Sequence, residues 1–314
     1  MHCTPCRPGV AVCLSGYCPT MIVDDLLVCS VCHGAVDPTG DESGQPECRQ
    51  CGRTYKHRGR VFDMTPLPVP DADVEECWPL WEELQRNGSI AYEADPETNL
   101  SFGRRWDAEY FAEFSDLEGL TLDVGCGPQA VPSYGLDFDG HLIGIDPLVG
   151  VEPREFDFIQ GIGEYLPFPD KTFDRVLFAT SLDHMLVPTR TLAEARRVVR
   201  PDGLVSIWFS EHHHDTERGS TWSRRAKAAT ALLKAGQFGT LVRGAKSALK
   251  LGAPAETPSY MSLVTVPTGA KDHFHAFHLD ADLVQKWTAE AGLSTVRSRP
   301  DHAAGCFLTA RPAG

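Results

Sequence analysis

No stretch of this 314-residue chain stays apolar for the roughly 20 residues that a membrane-crossing helix needs, so no span is expected. The first residues, MHCTPCRPGVAVCLSGYCPT, lack the unbroken apolar stretch of a secretory signal, because Pro, Gly and Cys interrupt it. A cytoplasmic protein is the expectation. Positive charge is also scarce. The 29 Lys and Arg face 43 Asp and Glu, and the resulting formal net charge of -14 repels polyphosphate and weighs against broad nucleic-acid binding. Hydrophobic residues at 42% and charged residues at 23% are ordinary for a globular protein, and the length suits one large domain plus a small one.

Cysteine, by contrast, is plentiful, with eleven residues. In a reducing compartment they suit metal ligation or burial better than disulfides. Cys29 and Cys32 (CSVC) are separated from Cys48 and Cys51 (CRQC) by fifteen residues, the spacing of a zinc ribbon. Four thiolates make a closed tetrahedral site with no position left for water, so the expected role of the zinc is structural or in docking. Residues 21–66 are read as this ribbon, which is too short to bury a core without metal. Upstream, Cys3, Cys6, Cys13 and Cys18 have irregular gaps, and residues 1–20 read as a disordered tail, with a second metal site as the alternative.

Residues 67–115 read as a proline-rich and acidic linker followed by helices, one of which (CWPLWEELQRNGSIAY) is predicted to end at Asn87-Gly88. From residue 116 onward the pattern changes. Short apolar runs at 120–124, 141–145, 156–160, 175–179 and 204–209, then 294–297 and 306–310, alternate with helical stretches. Thr191 and Glu194 have the spacing of a capping box for a helix reaching Val199, and RPDG then stops it. Strands alternating with helices predict an α/β fold, a doubly wound, seven-stranded Rossmann-like sheet with the zinc ribbon in front.

On such a sheet a ligand sits beyond the carboxyl ends of the strands. The first strand runs into LDVGCGPQA, where Gly125 and Gly127 flank Cys126 and let the backbone approach a ligand. A dinucleotide loop needs a third glycine, and Gln129 stands in its place. The second strand ends in IGIDP, about twenty residues further on, where the Asp146 carboxylate can accept hydrogen bonds from both hydroxyls of a ribose and disfavours a phosphorylated one. A cofactor with a ribose and no phosphate meets both conditions. S-adenosylmethionine is such a molecule.

The motifs LDVGCGP, IGIDP, GEYLPFPDKTFDRVLFATSLDHM and EARRVVRPDGLVSI follow in order and spacing those of class I methyltransferases, and the chain resembles the broad family typified by ubiquinone and menaquinone biosynthesis enzymes. The cysteine segment is similar to zinc ribbons fused in front of many bacterial methyltransferases. The resemblance implies that Asp123 and the loop Gly125, Cys126, Gly127 hold the methionine part of S-adenosylmethionine and that Asp146 holds the ribose. It places the adenine at QGIGEYLPF, where relatives carry an acid and this chain has Ile162, so Gly163 and Glu164 are the candidates. Thr180 should face the methionine and the methyl group.

For the acceptor side, SLDHM puts Asp183 and His184 past the fourth strand of this domain, His184 as a candidate base with Asp183 as its orienter, or as a packing residue. Two clusters, His212, His213, His214 and His273, His275, His278, read either as divalent-metal ligands or bases, or as exposed imidazoles. The insertion at about 211–270 carries eight bases and no acid between Arg218 and Lys250, consistent with a lid, a peripheral membrane contact or a solvated face. A small-molecule acceptor methylated on oxygen or nitrogen (a sugar, a glycolipid or a secondary metabolite) is the first reading. An rRNA or tRNA methyltransferase and a non-catalytic cofactor-binding partner protein are the alternatives. The Asn/Asp-Pro-Pro-Tyr/Phe signature of amine methylation on bases or glutamine is missing after the fourth strand.

Overall fold

The structure is a computed structural model that describes residues 22–38, 44–59, 61–94, 104–150, 154–210, 275–303 and 305–314. The sequence-predicted tail at 1–20 and the basic insertion at about 211–270, with His212, His213, His214 and His273, lie outside the described residues.

Apolar runs with few interruptions become strands buried on both faces, which is what a parallel sheet requires. The central strand β5 (Leu120–Val124) is flanked by β6 (His141–Asp146) and β8 (Phe173–Ala179), with β7 (Asp157–Gln160) beyond β6 and β9 (Val199–Phe209) beyond β8. These five strands are parallel. The chain then closes with β10 (Leu293–His302) and β11 (Gly305–Pro312), an antiparallel hairpin whose second strand inserts against β9. The sheet's order reverses at β5, with β6 and β7 following on one side and β8 and β9 on the other, so the loops after β5 and β8 diverge and leave a crevice at their carboxyl ends.

The seven expected strands are joined by two more. In the cysteine segment, β1 (Val36–Asp37) pairs with β2 (Glu47–Cys48), while β3 (Lys56–Arg58) and β4 (Val61–Asp63) form a hairpin. Strand β4 then runs parallel to β7, with Asp63 opposite Gln160, so the sheet has nine strands among the described residues. Met64 N donates to Gln160 O at 2.8 Å and Val28 N to Pro167 O at 3.0 Å. The short helix α1 (Ile22–Leu26) contributes Val23 to the same core that contains Cys29, Cys48, Tyr55 and Met64. The segment reads from its spacing as a separate module, yet its apolar residues share one core with the main sheet.

Two helix predictions are corrected. Helix α2 (Ala72–Ala94) runs through Asn87-Gly88 and does not end there. An interior glycine costs about 1 kcal/mol relative to alanine, and tertiary packing outweighs it. Trp81 and Leu84 are buried, and the Trp81 Nε1 donates to His184 O at 2.9 Å. Helix α3 (Trp106–Phe114) follows, burying Ala108, Phe111 and Phe114.

Helix α4 (Pro188–Val198) starts three residues before the expected cap, with Pro188 in the first turn, where a missing N–H leaves nothing unsatisfied. Thr191 therefore lies inside the helix and caps nothing. The cap comes from a distant loop: Glu164 Oε1 accepts from Leu186 N at 2.8 Å, Val187 N at 3.1 Å and the Thr191 hydroxyl at 2.8 Å. Glu194 instead accepts from Leu166 N and pairs with Arg197. The last helix, α5 (Ala281–Glu290), has an ordinary cap, Asp280 accepting from Leu283 N at 2.7 Å.

Removing the Glu164 carboxylate takes the acceptor from Leu186 N and Val187 N and leaves the Thr191 hydroxyl only the more distant Val187 O, at 3.4 Å. Glu164→Ala is expected to destabilise the chain by about 3 kcal/mol, read as a lowered midpoint in urea unfolding.

Candidate functional site

A cavity of about 400 Å³ opens at the carboxyl ends of the parallel strands. Its floor is the loop after β5, its walls the loops after β6, β7 and β8, and its roof the helix α2. Gly125, Cys126, Gly127, Asp146, Gly163, Glu164, Thr180 and His184 all line it, whereas Asp123 and Asp183 lie immediately behind the lining.

The loop is held by its own amides. Gly125 N and Cys126 N both donate to Ile145 O, at 2.8 and 3.4 Å, and Gly127 N donates to Asp146 Oδ2 at 2.8 Å. Both glycines have positive φ, +78° and +73°, a conformation costly for other residues. A Cβ on Gly125 would also sit 2.5 Å from the Ser181 Cβ, so the first glycine is demanded by close packing of two loops. With three successive N–H groups turned inward, the loop offers no cluster of free donors to an anion.

Asp146 is buried, and its second oxygen accepts from Leu148 N at 2.8 Å. Burial raises its pKa above the ordinary range, while these two amides and the Arg154 guanidinium work the other way. Arg154 is itself buried and was not singled out in the sequence. Its guanidinium donates to Gly127 O and Gln129 O on one loop, at 2.9 and 3.0 Å, and to Leu148 O and Val149 O on the next, at 3.3 and 2.5 Å. The ring of Phe158 lies 3.9 Å from its central carbon.

Several sequence candidates turn out to have different surroundings from those expected. Asp123 is fully buried and its Oδ2 accepts a very short hydrogen bond from Tyr134, the residue that reaches the cavity in its stead. Its other oxygen, Oδ1, has no hydrogen-bond partner. Burial pushes the Asp123 carboxyl up to about 7 against the opposing Tyr134 hydrogen bond. Cys126 is a buried thiol whose pKa is raised well above normal by burial, and it packs where a side chain at Gly144 would go. Gly163 has no room for a Cβ, which would meet Thr191 Cγ2 at 2.6 Å and Val124 Cγ1 at 2.9 Å. Glu164 Oε1 is committed to capping α4 and does not face a ligand with that atom. Thr180 has positive φ, +56°, and donates its N–H to Trp208 O at 2.8 Å.

At the mouth, His184 Nε2 and Asp183 Oδ1 are 3.8 Å apart, longer than a hydrogen bond, so the expected base and orienter are adjacent without being bonded. A third group joins them. His275 Nε2 lies 3.8 Å from Asp183 Oδ2, and the two imidazole centroids are 4.9 Å apart. Sequence reading placed His275 in a histidine cluster but had no means of bringing it to Asp183. Equally unmarked were Trp81, Leu84, Gln85 and Tyr92 of α2, whose spacing of three, one and seven residues puts them on one helical face. Burial raises the Tyr92 pKa, and the charges of Asp146 and Asp183 add to the rise.

In the cysteine segment the four sulfurs lie within 4.8 Å of one another. Cys29 Sγ is 3.7 Å from Cys51 Sγ and Cys32 Sγ is 3.5 Å from Cys48 Sγ. Zinc–sulfur bonds of about 2.3 Å at tetrahedral angles separate sulfurs by about 3.8 Å, so the spacing fits. Cys32 N and Gln50 N point at the Cys29 and Cys48 sulfurs, at 3.5 and 3.4 Å.

Residues 122–207 match the family model described as a methyltransferase domain. A fatty-acid O-methyltransferase of Mycolicibacterium smegmatis is 31% identical over 140 residues, covering 37% of this chain and 49% of that protein. A demethylmenaquinone methyltransferase of Renibacterium salmoninarum is 32% identical over 126 residues, covering 37% of this chain and 52% of that protein. The chain spans about half the length of most of the curated relatives it matches. Among solved structures, the 1,6-didemethyltoxoflavin-N1-methyltransferase of Burkholderia thailandensis is 14% identical with a TM-score of 0.49, covering 83% of this chain and 99% of that one.

The Asp123 carboxyl carries its own pH signature. With a folded pKa near 7, raised from the ordinary 3.8, the folded chain holds a proton that the unfolded chain releases, so stability is lost as pH rises between the two values. Relative to Asp123→Asn, the native chain should lose on the order of 2 kcal/mol between pH 5 and pH 8, read by denaturant unfolding of both at each pH.

Proposed function

We propose, from the premise that residues 122–207 constitute a class I methyltransferase domain, that the chain transfers the methyl group of S-adenosylmethionine to oxygen or nitrogen of a small-molecule acceptor. Sugars, glycolipids and secondary metabolites are the acceptor classes. The observation that carries the reading is the inward turn of the three loop amides together with the carboxylate of Asp146 at the cavity wall. A pyrophosphate would find neither free donors nor a tolerable charge there, whereas ribose hydroxyls find an acceptor.

The residues present suit that donor. Each Asp146 oxygen accepts one backbone N–H and keeps a lone pair for a hydroxyl. Pro147, Leu148 and Ile162 offer apolar walls to a flat base, the last in place of the acid found in relatives. Tyr134 and the Thr180 turn face the remaining length of the cavity, and Asp123 acts through Tyr134 as a positioning residue. When bound, the sulfonium supplies a methyl group already activated for in-line displacement. The chain's own contribution is alignment and exclusion of water, to which the Trp81–His184 tie contributes by fastening the α2 roof to the turn at the mouth. Asp183 and His184 lie where the acceptor enters.

Cys29, Cys32, Cys48 and Cys51 are assigned a structural zinc ion. One zinc per chain should be found by elemental analysis, and its removal by a strong chelator should lower the melting temperature of the whole chain, since the cysteine core is continuous with that of the sheet.

Calorimetry with S-adenosylmethionine should register binding, weakened at least tenfold in Asp146→Asn, which keeps the shape and loses the charge. Tritiated methyl transfer into a lysate fractionated into small molecules, lipids, RNA and protein should label the small-molecule or lipid fraction. Labelling confined to RNA or protein refutes the acceptor class.

A further inference from the structure

Asp183, His184 and His275 are brought together by backbone hydrogen bonds. The short 3₁₀ turn at Leu182–His184 holds the first two, and the Asp183 carbonyl accepts from Ala276 N at 2.9 Å and Phe277 N at 3.1 Å, which fastens the segment carrying His275 alongside. One oxygen or nitrogen from each of the three residues lies within 4.8 Å of the others. The Asp183 side chain is 8% exposed and its Oδ1 has no hydrogen-bond partner, a costly state for a buried carboxylate oxygen. Both imidazoles line the cavity.

We propose that Asp183, His184 and His275 form a divalent-cation site at the mouth of the cavity, and that the cation holds the acceptor through two of its oxygens. Two imidazoles and one carboxylate on one side of an ion leave its other positions open. Those positions face the cavity, where a vicinal diol or a hydroxyl next to a carbonyl can occupy two of them. A cation there also supplies the charge that the buried Asp183 oxygen lacks. Acceptor hydroxyls bound to it release a proton to solvent water more readily, and the oxygen left behind bonds the methyl carbon as the carbon–sulfur bond breaks, so a separate protein base is not needed. Ligands on bonds of about 2.1 Å at right angles stand about 3.0 Å apart, closer than the 3.8 Å that separates Asp183 from each imidazole, so binding the ion draws the three side chains together. The acceptor role rests on the methyltransferase reading. The ion-binding claim does not.

The test uses the full zinc-loaded chain and Mn²⁺ alone, a hard ion that competes poorly for the four thiolates. Electron paramagnetic resonance of a Mn²⁺ titration should show one bound ion per chain. His275→Ala, at a half-exposed position, and Asp183→Asn should each weaken that binding at least tenfold, with melting curves confirming that both variants fold. Absence of bound Mn²⁺ in the native chain overturns the site, and so does Mn²⁺ binding that His275→Ala leaves unchanged. S-adenosylmethionine binding is measured on the same samples. Donor binding without Mn²⁺ binding removes the cation site and leaves the methyltransferase reading intact, whereas Mn²⁺ binding without donor binding does the reverse.

Discussion

A single guanidinium organises the rim of this sheet. Arg154 reaches four carbonyl oxygens, two on the loop after β5 and two on the loop after β6, and stacks against Phe158. Both loops lie on the same side of the strand-order reversal, at the carboxyl ends of neighbouring parallel strands, and Arg154 ties one to the other. A planar, permanently charged fork suits the task in a way that an ammonium does not. Asp146 completes the arrangement from the other direction by taking one N–H from each loop. Donors meet carbonyls through Arg154 and acceptors meet amides through Asp146. The crevice is therefore built before any ligand enters it.

The same economy of borrowed groups recurs around the cavity. Helix α4 is capped by Glu164 from a distant loop, the α2 roof is fastened through an indole N–H to the carbonyl of His184, and Ser181 donates to Val124 O at 2.6 Å beneath the glycine loop. Each of these bonds joins a wall of the cavity to a neighbouring wall. A ligand entering this space meets side chains whose orientations are already fixed, so it does not have to supply the free energy of ordering them.

Local patterns were legible in the sequence and long-range ones were not. Apolar runs such as LTLDV and FDRVLFA announce buried strands because parallel strands need nearly continuous apolar residues. The two glycines and the acid at Asp146 could be located because their spacing follows from a strand, a turn and a second strand. The four cysteines could be grouped because each pair is a local knuckle. By contrast, Thr191 and Glu194 have the spacing of a cap, yet the chain takes its cap from Glu164, and no local pattern encodes a partner more than twenty residues away. Asn87-Gly88 reads as a stop and is overridden by packing of Trp81 and Leu84. Arg154 and His275 act only through neighbours that the fold supplies.

The union of the cysteine segment with the sheet has a consequence for aggregation. Strand β7 is a short, largely buried parallel strand, and with nothing beside it its N–H and C=O groups would form an open edge ready to recruit another chain. The hairpin of β3 and β4 meets it at its carboxyl end, with Asp63 opposite Gln160, and there moves the border of the sheet outward to Lys56–Arg58, three residues that are all exposed and two of them basic. Like-charged side chains along that border repel an identical border. The amino-terminal segment thus acts as an insulating selvedge, finishing the fabric of the sheet so that it does not fray into its neighbours.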